Sequence, residues 1–295
     1  MLQFSLTMGA LIAFAANSIL CRMALADGDI DALSFSLLRL ASGALSLPLL
    51  LVLLGHMARP IGGNWFSALM LMLYVISFSL AYLSLSAASG ALILFAAVQF
   101  TMVLGSMRGG TNPNMGECFG MAMALGGLVY LLFPGLETPS LTAASLMLLA
   151  GMSWGVYSLR GGGADPLLHT SGNFIRALGL FVPLLLFMLL LSPSHLPITA
   201  DIHLSSKGIL LAVASGALAS GLGYALWYAA LKTLKPLRAG LVQLSVPVLT
   251  AFAGAALLSE PLTLHLLTAS ILILGGIFLG LMTRPAAEAP ASSPN

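Results

Sequence analysis

The sequence predicts an all-α integral membrane protein, with ten transmembrane helices arranged as two inverted five-helix repeats around a central cavity. Three observations carry this expectation. Of the 295 residues, 59% are hydrophobic and only 7% charged, against about 25% charged in a soluble domain. Long apolar runs recur without the period-two alternation of barrel strands. Segments of the first half reappear in the second half in the same order.

So few charges cannot cover the surface of a globular fold of this length, which leaves lipid as the solvent for the excess apolar surface. Lipid satisfies no free backbone N–H or C=O, so the spanning elements are helices. Runs of about 20 mostly apolar residues lie at about 2–24, 32–55, 65–84, 88–107, 115–134, 142–160, 167–191, 207–230, 237–257 and 263–283. The links between them are short and hold Gly, Pro, Asp or Asn. The first run lacks a basic segment before it and is followed directly by further spans, so it reads as a retained helix and not a signal peptide. The expected organisation is a first repeat at 1–138, a second at 139–284 and a disordered cytoplasmic tail at 285–295.

An even number of spans puts both termini on one side. With the termini inside, the inner links and tail hold Arg59, Arg108, Arg160, Lys232, Lys235, Arg238 and Arg284, while the outer links hold only Arg22 and Lys207 among basic residues. The outer links also carry Asp27, Asp29, Asp31, Glu137, Asp201 and Glu260. This bias predicts cytoplasmic N- and C-termini. Cys21 and Cys118 then sit at opposite membrane faces, so no disulfide is expected between them.

The repeat rests on four matches. FSLLRLASGAL, with Arg39, aligns with SGNFIRALGLF, with Arg176. FSLAYLSL aligns with GYALWYAAL, setting Phe78 and Tyr82 on Tyr224 and Tyr228. Asn112–Pro113 aligns with Glu260–Pro261, and ALGGLVYLL with LILGGIFLG. Five spans per half is odd, so the halves enter the membrane in opposite directions, which places a solute site at their interface near the midplane.

Polar and aromatic positions inside spans nominate the cavity lining. Tyr74, Phe78 and Tyr82 fall at i, i+4, i+8 in span three, and Ser220, Tyr224 and Tyr228 with Trp227 in span eight. Span one adds Phe14 and Asn17, span six Trp154 and Tyr157, span four Phe95 and Gln99, and span nine Gln243 and Pro247. Two readings stand for the rings: a solute-facing wall, or an interfacial belt and helix packing. The amides Asn17, Gln99 and Gln243 either meet a solute or bond across helices. Arg39 and Arg176 lie about two turns inside their spans; they either lock helix ends by bonding carbonyls or guide a carboxylate.

No Asp or Glu lies within a span core, and Glu117 and Glu260 sit at helix ends. That favours facilitated or exchange transport, or coupling through an end-of-helix group such as Glu260. The pairs Gly116–Gly120 and Gly276–Gly280 fit GxxxG, a pattern that 31 glycines produce by chance. Pro48, Pro183 and Pro247 are candidate kinks for rocking motions. A GxxxxGK[ST] loop, HExxH, GxSxG and zinc-type Cys–His spacing are all missing, and the five histidines never cluster. The sequence therefore points to no enzyme, ATP-driven pump, metal or cofactor, and no basic stripe suits nucleic acid.

The pattern resembles the EamA-type members of the drug/metabolite transporter superfamily over essentially the whole chain. The best local match is ALWYAALKTLKPLRAGLVQLSVPVLTAFAGAALLSEPLT, with Tyr228, Ala239, Gly240, Pro247 and the Glu260–Pro261 step. FAANSILCRMAL and SFSLLRLASGAL are also similar to this family. The first half departs from it: Gln99 stands where Pro is usual, and Asn112 replaces Glu. The resemblance implies a secondary transporter that exports small metabolites by alternating access from a bacterial-type inner membrane. Its nearest likeness is to YddG-type exporters of amino acids, including aromatic ones and methionine. Drugs and nucleotide sugars are the alternative solutes of this fold, and a membrane-embedded enzyme or scaffold is the reading from another class. A small-molecule solute and the bilayer are the expected partners; a monomer is compatible with the sequence.

Overall fold

A computed structural model describes residues 2–55, 62–108, 114–132, 139–160, 165–191, 203–231, 242–243 and 245–283. Arg59, Asn112–Pro113, Glu137, Asp201, Lys232, Lys235, Arg238, Ala239, Gly240, Arg284 and the tail 285–295 lie outside the described residues, as do His56 and His195.

Among the described residues ten long helices follow one another. They are α1 (Leu2–Ala26), α2 (Ala32–Leu53), α3 (Trp65–Ala81), α4 (Ala87–Arg108), α5 (Met115–Leu131), α6 (Leu141–Arg160) and α7 (Pro166–Leu191). Helix α8 has three consecutive parts, α-helical Ser206–Ala214, π-helical Ser215–Leu222 and α-helical Gly223–Leu231. Helices α9 (Ser245–Leu258) and α10 (Leu264–Met282) complete the set. Six are long and apolar enough to cross a membrane unaided, and four are shorter apolar helices. Their ends are closed by side chains. Asp31, Asn64, Ser205 and Thr263 each accept from the backbone N–H three residues on. Asn114 and Glu117 form a reciprocal capping box at the start of α5. Each cap satisfies an N–H left without an intrahelical partner.

Alternating directions place the start of α1 and the end of α10 on one face, the terminal face; the other is the far face. The two sets of five helices pack reciprocally. Helices α3 and α4 lie against α6, while their counterparts α8 and α9 lie against α1. Helix α2 packs on α7, and α5 packs on α10 at the periphery. This exchange is the pseudo-two-fold relation of an inverted repeat. Outward positions are apolar, among them Leu45, Leu49, Phe119, Val129, Phe187, Phe252 and Ile271, all exposed. Polar groups such as Asn17, Ser36, Arg39, Ser79 and Ser171 are buried.

The GxxxG pairs are more than a chance pattern. At the α5–α10 crossing, a Cβ on Gly120 would collide with the Gly276 carbonyl and the Gly280 backbone, and one on Gly276 with the Gly120 carbonyl. Backbone approach this close is what small residues permit in lipid, where dispersion and not hydrophobicity drives association. Pro48 and Pro183 lie inside α2 and α7. Pro247 instead occupies the first turn of α9, where the missing N–H removes no intrahelical bond. Cys21 is buried and Cys118 exposed, both as free thiols.

Gly120→Ala should lower stability by about 1–3 kcal/mol through overpacking. Gly126→Ala, where a Cβ meets open space, should be neutral or mildly stabilising. Thermal unfolding in detergent checks the contrast; equal melting temperatures would refute the close-approach account.

Candidate functional site

Where α1, α3, α4, α6 and α8 converge they enclose a cavity of about 20 Å³. Its lining is Phe14, Asn17 and Ser18 from α1, Tyr74 and Phe78 from α3, Leu94 and Phe95 from α4, Trp154 from α6 and Tyr224 from α8. That volume holds about one water, far below the roughly 300–1,000 Å³ of a ligand pocket, so the bundle is contracted around it. Trp154 is the hub. Its ring lies 4.7 Å from Tyr224, 5.1 Å from Tyr74, 5.5 Å from Tyr157 and 6.1 Å from Phe14, centroid to centroid. Such pairs contribute about 0.5–1.5 kcal/mol each beyond their buried area.

A polar chain runs behind this aromatic wall. Ser215 Oγ donates to Asn17 Oδ1 at 2.6 Å, and Asn17 Nδ2 donates to the Tyr74 hydroxyl at 3.3 Å. The same hydroxyl accepts from Arg39 Nη2 at 2.9 Å, and Arg39 Nε donates to Ser220 Oγ at 3.1 Å. Both serines belong to the π-helical part of α8. They are five residues apart, one π turn, and so share a side. In a regular α-helix that spacing would swing them about 140° apart. The same segment presses on α2, since a Cβ on Gly216 would strike the Arg39 carbonyl and Ser42.

The structure thus brings Asn17, Tyr74, Phe78, Phe95, Trp154 and Tyr224 around one space. Tyr157 lies behind Trp154, accepting from Asn173 Nδ2 at 3.5 Å, and Trp227 meets Phe14 edge-on with centroids 5.6 Å apart. Tyr228 and Gln243 are buried but do not line this cavity. Gln99 faces a second cavity of about 40 Å³ between α4, α5 and α10, together with Glu117 and Gly120. Tyr82 sits at the far end of α3, where its hydroxyl donates to the Ala87 carbonyl at 3.3 Å. The sequence stripe of α3 therefore delivers two of its three rings to the cavity, because the helix ends before Tyr82 completes the face.

The two arginines have separate fates. Arg176 Nη1 donates to the Gly62 and Gly172 carbonyls at 2.6 and 3.0 Å, which locks the α2–α3 link onto α7. Among the described residues Arg39 bonds no carbonyl; it bonds two hydroxyls and lies 5.0 Å from the Tyr74 and Phe78 ring centroids. Glu260 joins three elements on the far face. It pairs with Arg22 of α1 at 3.2 Å and accepts from Ala87 N of α4 at 2.8 Å, while Arg22 donates to the Tyr82 carbonyl at 3.0 Å. Ser259, with φ 52°, turns the chain that presents Glu260.

Beside this staple, Lys207 bridges Asp27 at 3.0 Å and Asp29 at 2.6 Å, and Ile30 pairs with Leu204. The Lys207 ammonium holds the Asp29 carboxyl below its ordinary value, helped by Ser205. That contribution is present at neutral pH and lost only as pH falls through the lowered value. Ser18, Ser215 and the Arg22–Glu260 pair were not singled out from sequence, which expected Arg22 in an outer link and not inside α1.

Comparison with known proteins adds three findings. The model of the EamA-like transporter family matches residues 141–282. The uncharacterized protein PA1977 of Pseudomonas aeruginosa is 49% identical over 280 residues, spanning 95% of this chain and 94% of that protein. A crystal structure of a protein superposes with a TM-score of 0.66 over 96% of this chain and 100% of its own; at 19% identity that likeness concerns the fold alone.

Tyr74→Phe removes the acceptor of two buried donors, so it should destabilise by about 1–3 kcal/mol. Tyr224→Phe removes a hydroxyl that meets no partner in hydrogen-bond geometry among the described residues and should cost less. Melting temperatures of the two variants decide the matter, and equal losses would mean that the Asn17–Tyr74–Arg39 chain is not a stabilising network.

Proposed function

This chain belongs to the EamA-like transporter family, and we propose that it exports small metabolites by alternating access, with amino acids, including aromatic ones or methionine, as its solutes. As a family member it is a multi-pass membrane transporter with a small-molecule substrate. The observation that carries the proposal is the cavity at the junction of the two halves, walled by Phe14, Tyr74, Phe78, Trp154 and Tyr224 and backed by a polar chain. Rings offer an apolar face to a side chain, and hydroxyl and amide tips suit the polar end of a zwitterion. The halves 1–138 and 139–284 are the units that rock about this cavity. The membrane is a bacterial-type inner membrane with both termini in the cytoplasm, an orientation supported by the basic bias of the inner links.

On this reading the far-face contacts are the outer gate. Glu260 and Arg22 tie α1 to the α3–α4 and α9–α10 links with side chains that are 13% and 21% exposed, within reach of water when the halves separate. A contracted cavity of about 20 Å³ is then the state between two openings.

Two measurements follow. Proteoliposomes should show counterflow of labelled phenylalanine, tryptophan or methionine, and Trp154→Ala should reduce it by about tenfold or more; uptake confined to cationic drugs or nucleotide sugars would sink the amino-acid reading. In a Cys118→Ser background, Glu260→Gln should speed maleimide labelling of buried Cys21, one residue from Arg22. Unchanged labelling would remove the pair from the gate.

A further inference from the structure

We infer that Arg39 is the receptor for an anionic carboxylate on the solute, a subsite behind the Tyr74–Phe78 wall of the central cavity. The inference rests on reading that cavity as the transport site, and it names the chemical group the site requires.

Arg39 is fully buried, at 0% exposure, and lies about two turns into α2. Of the described carboxylates, Asp27, Asp29 and Asp31 belong to the α1–α2 link, Glu117 to the first turn of α5, Asp165 to the start of α7 and Glu260 to the α9–α10 link. None pairs with Arg39. Glu260 is engaged by Arg22, and Asp29 by Lys207. The described structure therefore holds a buried cation with no counter-charge, an arrangement that is costly in a low-dielectric interior. The rings of Tyr74 and Phe78, each 5.0 Å from the guanidinium carbon, offset only part of that cost.

The donors are also incompletely used. A guanidinium presents five N–H groups. Here Nε reaches Ser220 and Nη2 reaches Tyr74, while Nη1 has no hydrogen-bond partner among the described residues. Helix locking does not account for this, because a lock uses carbonyls, as Arg176 does on Gly62 and Gly172. Arg39 instead holds the hydroxyl of a residue that lines the cavity. A carboxylate that reaches Nη1 and Nη2 from the cavity supplies both the missing charge and the planar, two-oxygen match to the guanidinium fork. One cation matches one monoanion. A phosphate carries more charge than this single arginine balances, so the carboxylate is the better fit.

The test follows tryptophan fluorescence of the full chain in nanodiscs, where Trp154 and Trp227 report on the cavity. The probes are 3-phenylpropionate, its neutral amide, phenylethyl phosphate and phenylalanine. The wild type should bind the carboxylates about 10- to 100-fold more tightly than the amide. Arg39→Gln should abolish that preference, and Arg39→Lys should keep part of it. Should Arg39→Gln fail to fold, the wild-type comparison still decides: equal affinity for carboxylate and amide, tighter phosphate, or no binding at all overturns the inference. Undiminished carboxylate preference in folded Arg39→Gln overturns it as well. The two readings separate cleanly. Amino-acid counterflow that survives Arg39→Gln at wild-type affinity leaves the proposed function standing without the subsite. Arg39-dependent carboxylate binding without amino-acid counterflow leaves the subsite standing without that solute.

Discussion

Lipid gives a backbone N–H or C=O nothing to bond, and the chain meets that constraint at each scale. Within a span, the helical ladder consumes the backbone groups. At the start of a helix, where the first N–H groups have no carbonyl, Asp31, Asn64, Asn114, Ser205 and Thr263 supply the missing acceptor. Side chains obey the same rule. Ser36, Ser77 and Ser79 turn their hydroxyls onto carbonyls one turn back, and polar groups too large for that are driven inward to find one another. The Ser215–Asn17–Tyr74–Arg39–Ser220 chain is the result, and it fixes where α1, α2, α3 and α8 meet.

Two kinds of packing share the bundle as a consequence. At the periphery, α5 and α10 touch through glycine backbones, with no room for a side chain at Gly120 or Gly276. At the centre, large rings keep the helices apart and leave a small void between Trp154, Tyr74 and Tyr224. The void exists because flat rings at tilted and edge-on angles do not fill space as branched aliphatic chains do. The π-helical part of α8 adds the local widening that turns Ser215 and Ser220 to the same side.

The spans were legible because apolar run length is a local property; observed ends fall within a few residues of the expected ones, except where α9 is described only from Ser245. The cavity was legible in part. Helical spacing placed Tyr74 and Phe78 on one face, but nothing local says that α3 stops before Tyr82 or that Gln99 turns toward α5 and α10. The Arg22–Glu260 pair joins residues 238 apart, a choice made by the fold. Arg39 and Arg176 align well in sequence, yet one meets carbonyls and the other hydroxyls, because what each reaches belongs to another helix. The glycine crossing shows the opposite failure, a weak motif whose meaning only its partner reveals.

That divergence of the arginines bears on how an inverted repeat acquires direction. Two identical halves would present the same contacts to each face and bind a solute with no polarity of their own. Here the first half places its arginine behind the cavity wall, on the Tyr74 hydroxyl, and the second spends its counterpart on the α2–α3 link at the terminal face. The far face is closed instead by Arg22–Glu260 and the Lys207 bridges, polar contacts that are partly exposed and individually weak. Such contacts part with small loss, whereas the glycine-packed α5–α10 crossing separates only with large loss of dispersion contact. On the proposed alternating-access reading, separation at the far face would therefore leave that crossing intact. On the proposed reading, the solute site keeps one cationic end through the cycle, and this asymmetry, absent from the repeat as such, would orient what the cavity holds.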